Sequence, residues 1–266
     1  MGLKPTVTSL IVCGACGRMG RAILEAAAAD PAVEVTGLVD LPAHAGTSLA
    51  FRDRTIRVQA DLPRSPKGVV VDFTAPVATL GLVHEAAVHG HAMVIGTTGL
   101  AEAQLAEIEH AARRIAIVRA ANMSVGMNVL LALVRRAARV LGDEADVEII
   151  EAHHHGKRDA PSGSALQLAE AVNEARGRKS GEGWVHGRQG MPGERRRGEV
   201  GIHAVRGGDI AGDHTVLFAL GGERIELVHR AHSREAFARG AVRAARFAAT
   251  AGPGLYPMTR VLGLEA

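Results

Sequence analysis

From Ser9 to Ala121 the chain alternates short apolar runs with longer Ala-rich stretches whose apolar residues recur at helical spacing. Leu10 to Cys13, Val33 to Val39, Val69 to Phe73, Met93 to Ile95 and Ile115 to Val118 read as buried strands. Helices are predicted between them over Arg18 to Ala29, closed by Asp30-Pro31, over Val77 to Val88, closed by His89-Gly90, and over Ala101 to Arg113. Strand and helix in alternation predict a doubly wound parallel sheet, a Rossmann-type domain.

The second half follows a different grammar. A longer helix, Val125 to Val140 with a Gly142 stop, leads to a strand at Asp146 to Ala152, and Ser162 is placed to cap a helix through about Glu174. Gly177 to Gly198, rich in Gly, Arg and polar residues, reads as a long loop. Glu199 to Val205, Thr215 to Leu220 and Arg224 to His229 are predicted strands with Gly-Gly turns at 207 and 221, which implies an antiparallel or mixed sheet. A final helix spans about Arg234 to Thr250. The expected fold class is therefore α/β, a Rossmann-type dinucleotide-binding domain followed by an α+β region.

Composition narrows the function classes. At roughly 150 residues per domain, 266 residues suggest about two domains. That length excludes a disulfide-stapled miniprotein, and an apolar share of 47% with 22% charged residues excludes wholesale disorder. The apolar run at Val129 to Val134 stops at Arg135, short of the ~20 residues that cross a bilayer, so no membrane span is expected. The opening residues lack the apolar core of a secretory signal, and the loose myristoylation match of Met1-Gly2 with Thr6 reads as chance. A cytoplasmic location is the expectation. The net charge of +3 favours an anionic partner, but seven aromatic residues leave few stacking platforms for nucleic acid, so a small anion fits better. The arginine run within Glu194 to Arg197 reads as a solvated loop. Cys13 and Cys16 bracket a glycine turn with no second cysteine pair to complete four ligands, so neither a metal nor a redox role is expected of them.

Directly after the first strand come Gly14, Ala15, Cys16, Gly17, Arg18, Met19 and Gly20, opening the first helix. Glycine suits a tight turn and lets backbone N–H groups approach a pyrophosphate, while the helix N-terminus supplies partial positive charge. The next strand ends in Asp40, where an acid takes the ribose hydroxyls of a dinucleotide. A carboxylate repels a 2′-phosphate, and the neighbours are Leu41 and Pro42. NADH should therefore bind at least as well as NADPH; His44 and Arg52 are the nearby cations that would reverse this.

The second chemical cluster follows the strand at Asp146: His153, His154, His155, Gly156, Lys157, Arg158 and Asp159, then Ala160-Pro161-Ser162-Gly163-Ser164 opening a helix. A solvated basic turn is one reading. A metal site on alternating His153 and His155 is another, without obvious carboxylates to complete it. An anion site with acid/base capacity is the third, and coupled to a dinucleotide domain it is preferred.

With these segments, Val71-Asp72-Phe73-Thr74, Val94 to Gly99, Ala121 to Gly126, Glu151 to His154 with Lys157 and Asp159 to Gly163, and Gly208-Asp209-Ile210 with His214-Thr215, the sequence closely resembles the 4-hydroxy-tetrahydrodipicolinate reductase family over nearly its whole length. The resemblance implies an NADH- or NADPH-dependent reduction of a cyclic dicarboxylate, with loss of water, in the diaminopimelate route to lysine. It implies that Gly14 to Met19 hold the pyrophosphate and Asp40 the ribose. Gly96, Thr97 and Thr98, with Ala120, Ala121, Asn122 and Met123, would line the nicotinamide end. His153 corresponds to the acid/base residue and Lys157 to the proton donor, while His154, Gly163, Ser164 and Arg234 correspond to the grip on the carboxylates. Residues 1–124 and 235–266 would form the dinucleotide-binding domain, and 125–234 a substrate-binding and oligomerisation domain with a mixed sheet in a homotetramer. Substrate would bind in a cleft between the domains, with no metal, membrane or nucleic acid partner.

The chain departs from the family pattern at His155-Gly156, Ser164, Leu41, Met123, Pro257 and Thr259-Arg260, none of which removes a catalytic group. Two other functions fit parts of the pattern. Another small-acid dehydrogenase on this scaffold would not require the segment from His153 to Gly163, and a non-catalytic NAD(P)H sensor would bind cofactor without turnover.

Overall fold

The computed structural model describes residues 7–264. The signal-sequence and myristoylation readings fall on the opening residues, outside that range. The chain runs through β1 (Thr8–Cys13), α1 (Arg18–Ala28), β2 (Val33–Val39), β3 (Ser48–Phe51), β4 (Arg54–Gln59), β5 (Val69–Asp72), α2 (Pro76–His89), β6 (Ala92–Ile95), α3 (Glu102–Ala112) and β7 (Ala116–Arg119). It continues through α4 (Val125–Leu141), β8 (Asp146–His153), α5 (Gly163–Ala175), β9 (Trp184–His186), β10 (Val200–Arg206), β11 (Gly212–Leu220), β12 (Glu223–Ala231), α6 (Glu235–Ala248), β13 (Gly254–Tyr256) and α7 (Met258–Leu262). Two compact units result: one takes in the chain up to Val125 and again from Arg234 onward, the other Gly126–Ser233.

In the first unit eight strands pair in the order β13-β7-β6-β5-β1-β2-β4-β3, parallel except for the β3–β4 hairpin. Alternate side chains of these strands serve opposite faces, as a two-residue repeat requires. Leu10, Val12, Val71 and Val94 pack against α1 and α6, whereas Ile11, Cys13, Val70 and Ile95 pack in a second core with α2 and α3 residues such as Val83 and Ile108. The chain leaves β1 toward β2 on one side and resumes at β5 on the other, so the strand order reverses between β1 and β5. That reversal leaves a crevice at the carboxyl ends of the two strands, where this architecture places its ligand.

In the second unit five strands pair in the order β12-β11-β8-β10-β9. The sheet is mixed: β8 runs parallel to β10 and antiparallel to β11. Val147 and Ile149 of β8 face a core built with α4 and α5, including Leu130, Val134, Leu168 and Val172. The opposite face of the sheet leaves Ile150, Val205 and Val228 exposed.

Five elements escape the sequence pattern. The β3–β4 hairpin turns on Arg52-Asp53, with Arg52 at φ 54, rather than on the Asn-Gly or Asp-Gly pair that marks such turns. Strands β9 and β13 and helix α7 are three to five residues long, too short for periodicity to show. The stretch from Gly177 to Gly198 is thus not all loop. Gly207-Gly208 does not close a hairpin either, because β10 and β11 flank β8 instead of pairing with each other.

Candidate active site

The dinucleotide end of the first unit is built from backbone. Gly14 sits in the left-handed region at φ 66, directly after β1. A Cβ on Gly20 would overlap the Gly14 carbonyl oxygen and lie 2.6 Å from the Ala15 Cα, so the start of α1 closes on the loop only with glycine there. Helix α1 has no side-chain cap at Gly17 and no acidic residue in its first turn, which leaves its N–H groups open to an anion. Such a cradle, with Gly17 and Arg18 exposed beside it, fits a pyrophosphate.

Asp40 follows β2 and faces the same loop. Its Oδ2 accepts from the Cys16 N–H at 2.8 Å and its Oδ1 from the Leu41 N–H at 2.8 Å, and His44 Nδ1 lies 2.9 Å from Oδ1. Burial disfavours its charge, but His44 and the two N–H groups outweigh burial and hold the carboxyl below its ordinary range. Of the two cations expected nearby, only His44 is there. Arg52 instead donates to Glu34 and to the carbonyls of Ala27, Ala28, Asp30 and Val33, where its charge meets the negative end of α1.

The loops after β5 and β6 are organised by a residue with no role assigned from the sequence. Asp72 is fully buried at the end of β5 and accepts from the Thr74 N–H and hydroxyl, from Thr79 Oγ1 at 2.5 Å and from Thr97 Oγ1 at 3.2 Å. Thr97 is thereby committed to structure, while Thr98 is exposed. A Cβ on Gly96 would collide with the Phe73 ring. After β7, Ala120 donates its N–H to the Ile95 carbonyl, and Asn122 Oδ1 accepts the N–H of Ser124. Ala121 is exposed, but Met123 is buried, its side chain in the core and its carbonyl oxygen closed against Gly240.

The second unit gathers the imidazole-rich segment around a buried carboxylate. His153 Nδ1 lies 2.6 Å from Glu151 Oε2; the two residues share one face of β8. Arg206 donates to both Glu151 oxygens at 2.8 Å, and the Ser162 N–H donates to Oε1 at 3.0 Å. Burial opposes the Glu151 charge, yet Arg206, His153 and Ser162 together lower its pKa. For His153 burial is the larger influence and lowers the pKa despite Glu151, with Lys157 and Arg206 lowering it further. His214, from β11, places its ring 5.3 Å from that of His153 and its Nε2 3.2 Å from Ser162 Oγ. It is buried, and burial followed by the His153 charge pushes it down to about 4.

The segment after β8 turns at once. Lys157 donates its N–H to the His154 carbonyl, and its Nζ pairs with Asp159 at 2.9 Å. His154 is half-buried, and its N–H is held by the Ile210 carbonyl. His155 is exposed with Nδ1 2.9 Å from the Gly208 carbonyl. Because β8 ends at His153, the alternating strand pair behind the His153–His155 metal reading does not form. Ser162 caps α5, accepting from the Ala165 N–H, and α5 has no acid in its first turn, so Gly163 and Ser164 open a helix end suited to a carboxylate. His153, His154, Lys157, Gly163 and Ser164 thus share the second unit. Arg234 belongs to the first, as the residue preceding α6.

Glu151, Arg206 and His214 are the site residues that sequence reading left without roles. Glu151 carried a signal, since it alternates with His153 on one strand. Arg206 had none, because its contact depends on the parallel β8–β10 pairing. The arginine run is also not simply solvated: Arg195 donates to Asp146, Glu148 and the Glu199 carbonyl and so ties its loop to β8, while Arg196 and Arg197 remain exposed.

Comparison with known proteins follows this division. The family described as "Dihydrodipicolinate reductase, N-terminus" matches residues 8–123, and "Dihydrodipicolinate reductase, C-terminus" matches 126–262. A 4-hydroxy-tetrahydrodipicolinate reductase from Thiobacillus denitrificans is 49% identical over 96% of this chain and 98% of its own. One from Rubrobacter xylanophilus is 50% identical over 94% and 96% respectively. Among solved structures, a dipicolinate-bound dihydrodipicolinate reductase from Paenisporosarcina sp. TG-14 has the same fold, with a TM-score of 0.74 at 24% identity over 94% of this chain and 97% of that one.

Proposed function

The chain belongs to the dihydrodipicolinate reductase family, and from that membership we propose how its own residues carry out the reduction of 4-hydroxy-tetrahydrodipicolinate, with loss of water. The observation that carries the reading is the grouping of His153, Lys157 and the open start of α5 around the Glu151–Arg206 pair. A reduced pyridine nucleotide, when bound along Gly14 to Met19 and Asp40, supplies the hydride.

The substrate's two carboxylates are held by His154, by the N–H groups and hydroxyl at Gly163 and Ser164, and by Arg234. As a ring carbon conjugated with the imine is reduced, negative charge develops on the far atom. Lys157 Nζ delivers a proton there. With Glu151 ionised, the proton it shares with His153 is assigned to Nδ1, which leaves His153 Nε2 with a lone pair to accept or relay a proton. A Cβ at position 212 would lie 3.1 Å from that nitrogen, so glycine there keeps its surroundings clear. His214 stacks edge-on against His153 and fixes the ring; it is a positioning residue.

Asp40 favours NADH at least as strongly as NADPH, since no arginine stands beside its carboxylate, with His44 the one cation in hydrogen-bonding reach among the described residues. Ile150, Val205 and Val228 on the uncovered sheet face support association of copies of this chain, expected as a homotetramer in the cytoplasm. The deciding experiment is a coupled assay fed by the upstream synthase, run in parallel with NADH and NADPH, with the oligomer read by sedimentation. Cofactor oxidation that depends on that product is the expected result; tight cofactor binding without turnover would refute the reductase reading.

A further inference from the structure

In the first unit three unlike metal-ligating groups converge. Cys16 Sγ, an Asp40 carboxylate oxygen and a His44 ring nitrogen all lie within 4.8 Å of one another. They arrive from separate places: the loop after β1, the end of β2, and the short 3-10 turn Pro42–His44. The backbone holds them there. Cys16 donates its own N–H to Asp40 Oδ2, Leu41 donates to Oδ1, and the N–H of His44 donates to the Leu41 carbonyl at 2.8 Å.

We propose that Cys16, Asp40 and His44 bind one zinc-class divalent cation per chain, at the place where Asp40 would otherwise take the ribose of the dinucleotide. A thiolate, a carboxylate and an imidazole with the fourth position left to water form a borderline-soft, four-coordinate donor set with one open position. With Zn–S near ~2.3 Å and Zn–N or Zn–O near ~2.0–2.2 Å, tetrahedral ligands stand roughly 3.3–3.6 Å apart. Cys13 does not compete, because it is buried and its thiol is pushed well up by burial and then by Asp72.

Metal binding exchanges the Cys16 thiol proton for the cation, and the proton leaves to solvent. The absence of a second cysteine pair, which argues against a metal in the sequence, is no obstacle once Asp40 and His44 supply the other ligands. Exclusion of the dinucleotide rests on the reading of Asp40 as the ribose ligand; the metal site itself does not.

The test titrates Co²⁺ into the full chain without dinucleotide, follows the thiolate-to-cobalt absorption band, and displaces it with Zn²⁺. One equivalent is expected, with affinity at least about ten-fold weaker in C16A and in H44A; circular dichroism and the urea unfolding midpoint confirm that each variant is folded. No band in the unmodified chain, or an undiminished band in H44A, overturns the site. Saturating NADH is expected to abolish the band. A band that persists under NADH while still vanishing in C16A and H44A would leave the metal site standing and refute the ribose role of Asp40.

Discussion

Glu151 Oε2 approaches His153 Nδ1 to 2.6 Å, and Arg206 grips the same carboxylate from the adjacent strand through both of its terminal nitrogens. Glu151 therefore sets which imidazole nitrogen carries the proton and opposes the lowering of the His153 pKa by burial. E151Q keeps the shape and removes the charge. Its kcat should fall by roughly ten-fold or more, and the limb of the pH–rate profile that reports His153 should move to lower pH, because a neutral amide no longer favours the imidazolium. A limb that stays in place counts against the pairing.

The acid/base roles separate from binding roles in steady-state kinetics. H153Q and K157A are each expected to lower kcat by roughly 10²-fold or more, with the NADH Kd, measured by fluorescence titration, little changed. R234A is expected chiefly to raise the substrate KM. Normal turnover in both H153Q and K157A would show that the chemistry is done elsewhere.

Buried His214 links stability to pH. Its folded pKa is about 4 against an ordinary 6.5, so the unfolded chain takes up the proton first. The neutral ring's contribution is complete above pH 6.5 and is lost as pH falls toward 4, a change of about 3 kcal/mol. Glu148 acts in a lower window. Burial opposes its charge, but Arg188, His203 and Arg195 hold it at about 2, so its contribution is present above its ordinary 4.5 and is lost as pH falls toward 2. Urea midpoints for H214Q should decline less between pH 6.5 and 4 than those of the unmodified chain, since His153 keeps a share of that decline, while keeping the one below 4.5.

Arg52 gives a test of a corrected expectation. Its guanidinium serves carbonyls at the end of α1 and the Glu34 carboxylate, away from Asp40. R52A should cost roughly 1–2 kcal/mol of stability in urea unfolding and leave the ratio of NADH to NADPH efficiencies unchanged. H44A, by contrast, should shift that ratio toward NADH, since it removes the imidazole beside Asp40, the carboxylate proposed to take the ribose.

What the sequence revealed and what it hid divide along a physical line. Buried parallel strands and Ala-rich helices announce themselves by period, so β1, α1, β2, α2 and α5 lie within a residue or two of their expected bounds. The glycine loop and the His153 segment stand out because their residue types suit one chemistry and serve structure poorly elsewhere. Partnerships across strands leave no such trace. Arg206 reaches Glu151 only because β10 lies beside β8, and Asp72 joins Thr79 of α2 to Thr97 of the loop after β6, which local pattern cannot bring together. Arg52 was assigned by nearness in sequence to Asp40, and a hairpin with an atypical turn carried it to the far end of α1.

Helix α6 lies late in the chain, yet its Ala238, Ala241, Val242 and Ala245 complete the core that β1 and α1 begin. During synthesis the early strands and α1 emerge long before the partner that seals them. An exposed apolar surface must then wait for more than half of the polypeptide to be made, whereas residues 126–233 can close their own core first. A ribosome stalled before residue 235 would thus release a chain whose opening portion is prone to aggregate, although every glycine of its phosphate loop is already in place.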